Sequence, residues 1–401
     1  MDGPRSLTRS ISPPPVATHR KTRTDLRSNK ARERPRMRSA DLNISELAAI
    51  EAGKAIVHNH LDYFSRQLAQ VAKPVTNQSD PRLSIGDYTE LYRRNSHSHG
   101  RHFVIHQHNH PIAGCHYDLR LQFSETSSCS FAIPSGLPGN PNSQRQGRMA
   151  IETRVHTLWN SLIESASHAT GSLLIWDTGE YEVLPRKALG REALTTDDEL
   201  SEHELTAGDA SSKERHENEK LMEAFKARYI RLKLHGTRLP REYTIVLRLP
   251  SANDVVKHPR PIRLRKRKYS KSTNISGGSV QVEQDLDRLV NDEAALASED
   301  DDCDAEIESI RANNAYTGAE NTIGSVHQRR WFITLDRRHS GFVKEGRTWV
   351  RAGPDRGFEA FYVRGADVER SVVTGRTSAE VMADEGVEGF VPRKKWRPVL
   401  E

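Results

Sequence analysis

The sequence predicts a mainly β protein with peripheral helices and long disordered tails and insertions. Three observations carry this. Apolar and polar residues alternate in several short runs, the pattern of strands with one face on a core. Helical periodicity is confined to a stretch near the start. Only 35% of the residues are hydrophobic while 28% are charged, so much of the chain must lie outside any core.

Residues 1–42 hold Pro13, Pro14 and Pro15 and then arginines and lysines from Arg20 to Arg38, with almost no apolar periodicity. That composition predicts a basic disordered arm. It lacks the apolar centre of a secretory signal, and no run of about 18 apolar residues predicts a membrane span. A helical lead-in is expected over 43–99. Leu47, Ile50, Val57, Leu61, Phe64, Leu68 and Val71 recur at helical spacing, Ser45 or Asn43 can cap the start, and Pro74 stops it.

Residues 100–250 are the expected core, with a charged insertion at about 190–220. Seven of the eighteen histidines fall between His97 and His116, a density that asks for chemistry. In an extended chain side chains alternate between faces. His116, Asp118, Arg120 and Gln122 then share one face, and Tyr117, Leu119, Leu121 and Phe123 the other. The first face aligns an imidazole, a carboxylate and a guanidinium, two metal ligands and an anion clamp. His102, Val104, His106 and His108 share a parity in the preceding run, and the turn-prone Asn109 to Cys115 joins the two as an antiparallel pair. His108 and His116 can then meet. Further on, Glu152, Arg154 and His156 take the polar face of another strand, and Arg228 to Leu249 reads as two strands about a turn at Gly236.

Residues 251–325 read as a second disordered charged insertion, with a cationic run Arg260 to Lys268 that resembles a nuclear localisation signal and an acidic run Glu299 to Asp304. Over 326–401, Trp331 to Leu335 and Trp349 to Val363 read as closing strands before a basic C-terminal tail at Arg393 to Arg397. Cys115, Cys129 and Cys303 have no paired spacing, which excludes a disulfide framework and a four-cysteine zinc site and predicts a reducing compartment. No Lys-x-Asp-Gly segment occurs, so ligase chemistry is not expected, and any joining falls to a separate ligase or other repair protein.

The segments FVIHQH, HYDLRL, SFAIPSG, GRMAIETRVH and GSLLIWDTGEY resemble the 3′-phosphoesterase domain of bacterial DNA ligase D. The likeness returns over Ile230 to Leu249 and faintly at Trp331 to Asp336. It implies a small closed or partly closed β-barrel, here in a stand-alone, eukaryotic or fungal-like nuclear version. It also implies DNA binding and a manganese-dependent enzyme, with another divalent metal as the variant, that trims 3′ ends of DNA or RNA/DNA in repair. By the same resemblance the metal ligands are His108, His116 and Asp118, and the phosphate contacts and catalytic groups are Arg120, Arg148 and His156, with His156 the candidate proton donor. Arg120 and Arg148 would also touch the nucleic acid. The loop between His108 and His116 is two residues longer than the family's, which makes His110 a rival to His108. Ser135 stands where the family has lysine, and Asn160 where it has tyrosine. A slow enzyme is therefore expected, or else a module that only holds nucleic-acid ends. An iron-dependent oxygenase shares the His-x-Asp pattern, but Ala166 stands where its arginine would be.

Overall fold

The computed structural model describes residues 46–51, 55, 57–75, 80–186, 215–254, 313–393 and 396–400. The basic arm 1–42, most of the charged insertion, and the cationic and acidic runs lie outside these residues.

The expected hairpin forms. Strand β1 (His102–His110) pairs antiparallel with β2 (Gly114–Gln122), and β3 (Ser127–Ile133) continues the meander. Six further strands are β4 (Arg148–Glu152), β5 (His156–Thr157), β6 (Ser165–Ser167), β7 (Gly171–Val183), β8 (Tyr229–Gly236) and β9 (Thr244–Arg248). Strand β10 (Arg330–Leu335) inserts between β4 and β9. The order β1-β2-β3-β4-β10-β9-β8-β7 closes because β7 also pairs with β1. The result is an eight-stranded antiparallel barrel, and β5 and β6 extend it from β3 and β7.

Alternation sorts the barrel wall. Phe103, Ile105, Tyr117, Leu119, Leu121, Phe131, Trp176, Tyr181, Leu232 and Trp331 fill the interior. The opposite parity points outward, where Val104, Leu173 and Ile175 meet a second apolar layer. That layer comes from helices α2 (His60–Val71) and α3 (Ile85–Arg93) and the 3-10 turn Leu158–Leu162. Burying both faces explains why β1 and β2 are buried along their whole length. A Cβ at Gly236 would run into the Asp177 carboxylate. This carboxylate accepts from the amides of Thr178, Thr237, Arg238 and Leu239 and so clips β7 to the turn after β8.

Three expectations need correction. The single helix from 45 to 71 is two, α1 (Glu46–Glu51) and α2, because the Asn59 side chain accepts from the Asp62 amide and caps a new start. The second insertion does not run to 325: Asn314, Ile323 and Ser325 are buried, Ile323 within the barrel's core cluster. Trp349 to Val363 does not close the barrel, since β12 (Thr348–Arg351) pairs only with β11 (Phe342–Glu345) in a separate hairpin. Two residues of the C-terminal stretch are held against the barrel. Arg393 donates to the Ile112 carbonyl and the Trp396 indole to that of Pro134. The remaining helices are α4 (Glu217–Lys226) and α5 (Ser378–Asp384). A fully buried ion pair, Arg376 with Glu164 at 3.0 Å, ties the stretch before α5 to the barrel.

Candidate active site

The register of the first hairpin builds the site on the outer face of the barrel wall. Across β1 and β2, His108 lies opposite His116 and His106 opposite Asp118. Across β2 and β3, Arg120 lies opposite Ser130, and β5 brings His156 opposite Ser128. The ligand atoms of His108, His116 and Asp118 all lie within 4.8 Å of one another. His108 Nδ1 is 3.4 Å and His116 Nε2 3.5 Å from the two Asp118 oxygens.

The backbone fixes how the two imidazoles present themselves. His108 Nε2 lies 2.7 Å from the Thr170 carbonyl and His116 Nδ1 2.9 Å from that of Gly114. A carbonyl only accepts, so both of these nitrogens carry hydrogen. His108 Nδ1 and His116 Nε2 are left facing the carboxylate. Carbonyl-anchored imidazoles of this kind accompany metal-ligating histidines. Burial pushes the His116 pKa down to about 4, which keeps a lone pair on Nε2 at neutral pH. Burial opposes charge on Asp118, but His116, His108 and Arg120 outweigh it and hold the carboxyl well below the usual carboxylate range.

Polar atoms in this patch are buried without hydrogen-bond partners. They are both ring nitrogens of His106, His116 Nε2, Asp118 Oδ1, Ser130 Oγ and His156 Nδ1. Leaving such an atom unpaired costs about 1–3 kcal/mol, a cost that a ligand meeting these atoms would remove. Mixed nitrogen and oxygen donors, fixed tautomers and unpaired atoms together fit a divalent cation at His108, His116 and Asp118.

His110 is not a member of this group. Its Nδ1 accepts from the amides of Ile112 and Ala113, which binds it to the turn. Burial lowers its pKa to about 3. Arg120 is a member: its guanidinium approaches Asp118 at 4.0 Å and is gripped by the Asn160 side chain and carbonyl. Asn160 therefore serves the site through Arg120. His156 joins from β5, and burial with the nearby Arg120 charge pushes its pKa well down. It is neutral at physiological pH, short of the near-neutral value a proton donor would want.

Arg148 is not brought to the site. It sits at the start of β4, and its Nη1 donates to the carbonyls of Ser135, Gly136 and Leu137. Its role is to fasten the turn after β3, Ser135 included. Two residues in the patch were not assigned by sequence reasoning. His106 had only its shared parity with His108 to betray it. Tyr316, 4.7 Å ring to ring from His156, comes from a stretch that composition marks as linker.

Residues 106–247 match the family model of the DNA ligase D 3′-phosphoesterase domain. Over 84 residues the chain is 33% identical to the multifunctional non-homologous end joining protein LigD of Mycolicibacterium smegmatis. This alignment spans 20% of the chain and 10% of that relative's length. The closed barrel, the outward histidine and aspartate cluster and these matches lead to one statement: across residues 106–247 this chain carries a domain of the DNA ligase D 3′-phosphoesterase family.

Proposed function

We propose that the chain is a manganese-dependent 3′-phosphoesterase acting on 3′ ends of DNA or RNA/DNA in repair end-processing. The observation that carries this is the outward cluster of His108, His116 and Asp118 beside a pre-held Arg120. His108, His116 and Asp118 would hold the ion, with a carboxylate that suits manganese. When bound, the metal supplies Lewis-acid stabilisation of phosphoryl charge and activation of water for attack.

The rest is the work of side chains. Arg120 offers a fork of donors to the phosphoryl oxygens, the kind of preorganised charge that dominates phosphoryl transfer. Its grip by Asn160 means that little freedom is lost when the anion arrives. His106 and Ser130 line the same patch with unpaired polar atoms and can donate to a phosphate. His156 is neutral in the free protein, and an incoming phosphate dianion would raise its pKa and so recruit it as proton donor to the leaving 3′-oxygen. Arg148 has no part in this reading. Turnover is expected to be slow, because Ser135 offers no cation and Asn160 acts on Arg120 rather than on phosphate.

The iron-oxygenase reading has less support, since Arg120 and His156 address an anion and the side chain at 166 is the buried Ala166. We also propose a nuclear location, on the cationic run Arg260 to Lys268, and joining of the trimmed ends by a separate ligase. Among the described residues no helix is long and apolar enough to cross a membrane.

The deciding assay is phosphate release from a duplex with a 3′-phosphate, with and without manganese. Release that needs manganese and is absent in Asp118→Asn supports the proposal. Binding of manganese and of the duplex end without any release would make the domain a holder of ends instead.

A further inference from the structure

The site has a wall that comes from outside the family match. Residues 314–316, well past β9 in the sequence, run parallel to the strand edge at Val155, one residue before His156. The Val155 amide donates to the Asn314 carbonyl at 2.8 Å, and the Tyr316 amide donates to the Val155 carbonyl at 3.0 Å. The Asn314 side chain donates to the Thr153 carbonyl and to Ser325 Oγ, and its φ of +40° is one that asparagine tolerates better than most residues. Further on, the Glu320 amide donates to Ser127 Oγ, and the Val326 amide to the buried Glu152 carboxylate. The segment is thus anchored on both sides of Tyr316.

What it delivers is an aromatic ring against the imidazole of His156. The ring centroids are 4.7 Å apart with the planes tilted by 54°. The Arg154 guanidinium carbon lies 5.2 Å from the centre of the same tyrosine ring, a cation–π distance. His156 needs the support. Its strand is only two residues long and it is half-buried, whereas His106, His116 and Asp118 are fixed in long, buried strands. An imidazole that must meet one phosphoryl oxygen is useful only if its plane is set.

We propose that Tyr316 is a positioning residue, which holds the His156 ring in the plane that faces Arg120 and Asp118. The chain beyond the family match thereby completes the family's site. This rests on His156 contacting phosphate, as proposed above.

The test uses the full chain with carbon-13-labelled histidine. Three variants are compared with wild type: Tyr316→Phe keeps the ring, Tyr316→Leu removes it, and Tyr316→Met removes it while keeping the bulk. Tyr316→Phe should stay within about twofold of wild type in every readout. Tyr316→Leu should shift the His156 ring resonance, leave that of His110 in place, and weaken by fivefold or more the response of the His156 signal to inorganic phosphate without metal. With manganese and a 3′-phosphate duplex, kcat should fall tenfold or more while KM changes less than threefold and manganese affinity is kept.

If Tyr316→Leu does not fold, Tyr316→Met carries the same readouts. Failure of both to fold makes the tyrosine purely structural and overturns the proposal. A His156 resonance that stays in place, or that moves while kcat stays at the wild-type value, overturns it too. If wild type releases no phosphate, the phosphoesterase reading falls by itself, and the phosphate titration at His156 decides the role of Tyr316.

Discussion

Two buried polar clusters lie on β2 and β4, the strands that flank β3, and are built in opposite ways. Around Glu152, fully buried at the end of β4, every partner is in place. Arg329 donates to both carboxylate oxygens, the Trp331 indole donates at 2.9 Å, and the Val326 amide at 2.9 Å. Arg329 in turn reaches Asp254 at 3.0 Å. Around Asp118 the protein brings together as many polar groups and leaves several unpaired. A closed hydrogen-bond network rigidifies a fold, whereas an open one of the same size awaits a ligand. Burial and charge do not distinguish the two clusters; completeness does.

The sharpest way to break this comparison is to remove one carboxylate from each cluster. Asp118→Asn should abolish manganese binding in calorimetric titration while the protein still folds, and His116→Ala should do the same. His110→Ala should bind manganese as wild type does, and loss of binding there would return the first ligand to His110. Glu152→Ala should leave metal affinity intact in the folded fraction but destabilise by roughly 3 kcal/mol, because it takes one of the two carboxylate partners from Arg329 and leaves the Trp331 N–H unpaired in the interior. Denaturant unfolding measures this, and a stable Glu152→Ala would erase the distinction.

Acid should strike the histidine side. Burial holds His102 neutral with a pKa of about 4 and His110 with one of about 3, against 6.5 in the unfolded chain. Below pH 6.5 the unfolded chain takes up protons that the folded one refuses. Stability is therefore complete above about pH 6.5 and falls as the pH drops towards the folded values. His102 alone should contribute a loss on the order of 3 kcal/mol by pH 4. Unfolding midpoints from pH 7.5 to 4.5 check it, and His102→Gln should flatten the curve.

The smallest effect is the most discriminating. His106→Leu removes two unpaired buried nitrogens and should raise stability by about 1 kcal/mol, while phosphate release falls. A loss of stability instead would mean that His106 belongs with the closed kind of cluster.

How far all this was legible in the sequence follows from the distance over which the information is carried. Alternation along residues 102–122 foretold β1, β2 and the facing of His108 and His116, because a strand's two faces are written in adjacent residues. Counting along the chain failed for Arg148. Eight residues before His156 is a sequence distance: β4 and β5 both pair with β3, but His156 lies beside its start at Ser128 while Arg148 lies beyond its end, on the turn that follows. The break between α1 and α2 was missed because an apolar stripe continues in register across a capped gap. Asn160 looked like a lost contact, since its hold on Arg120 joins residues forty apart. The partners of Glu152 and the arrival of Tyr316 beside His156 could not be read at all. Both depend on residues between 316 and 331, far along the sequence from β4 and β5.

The pairing of β9 with β10 has a consequence for how the protein can be taken apart. The strands β9 and β10 lie side by side yet are separated by 81 residues in the sequence, 249–329, and lengthening such a connection raises the closure entropy only slowly. Cutting it should therefore leave two pieces that reassemble. The first would carry the metal ligands and the second β10, the Glu152 partners and Tyr316. Mixing the two pieces would turn recovery of the site into a binding curve, in which the strength of the barrel's last seam is read directly as a dissociation constant.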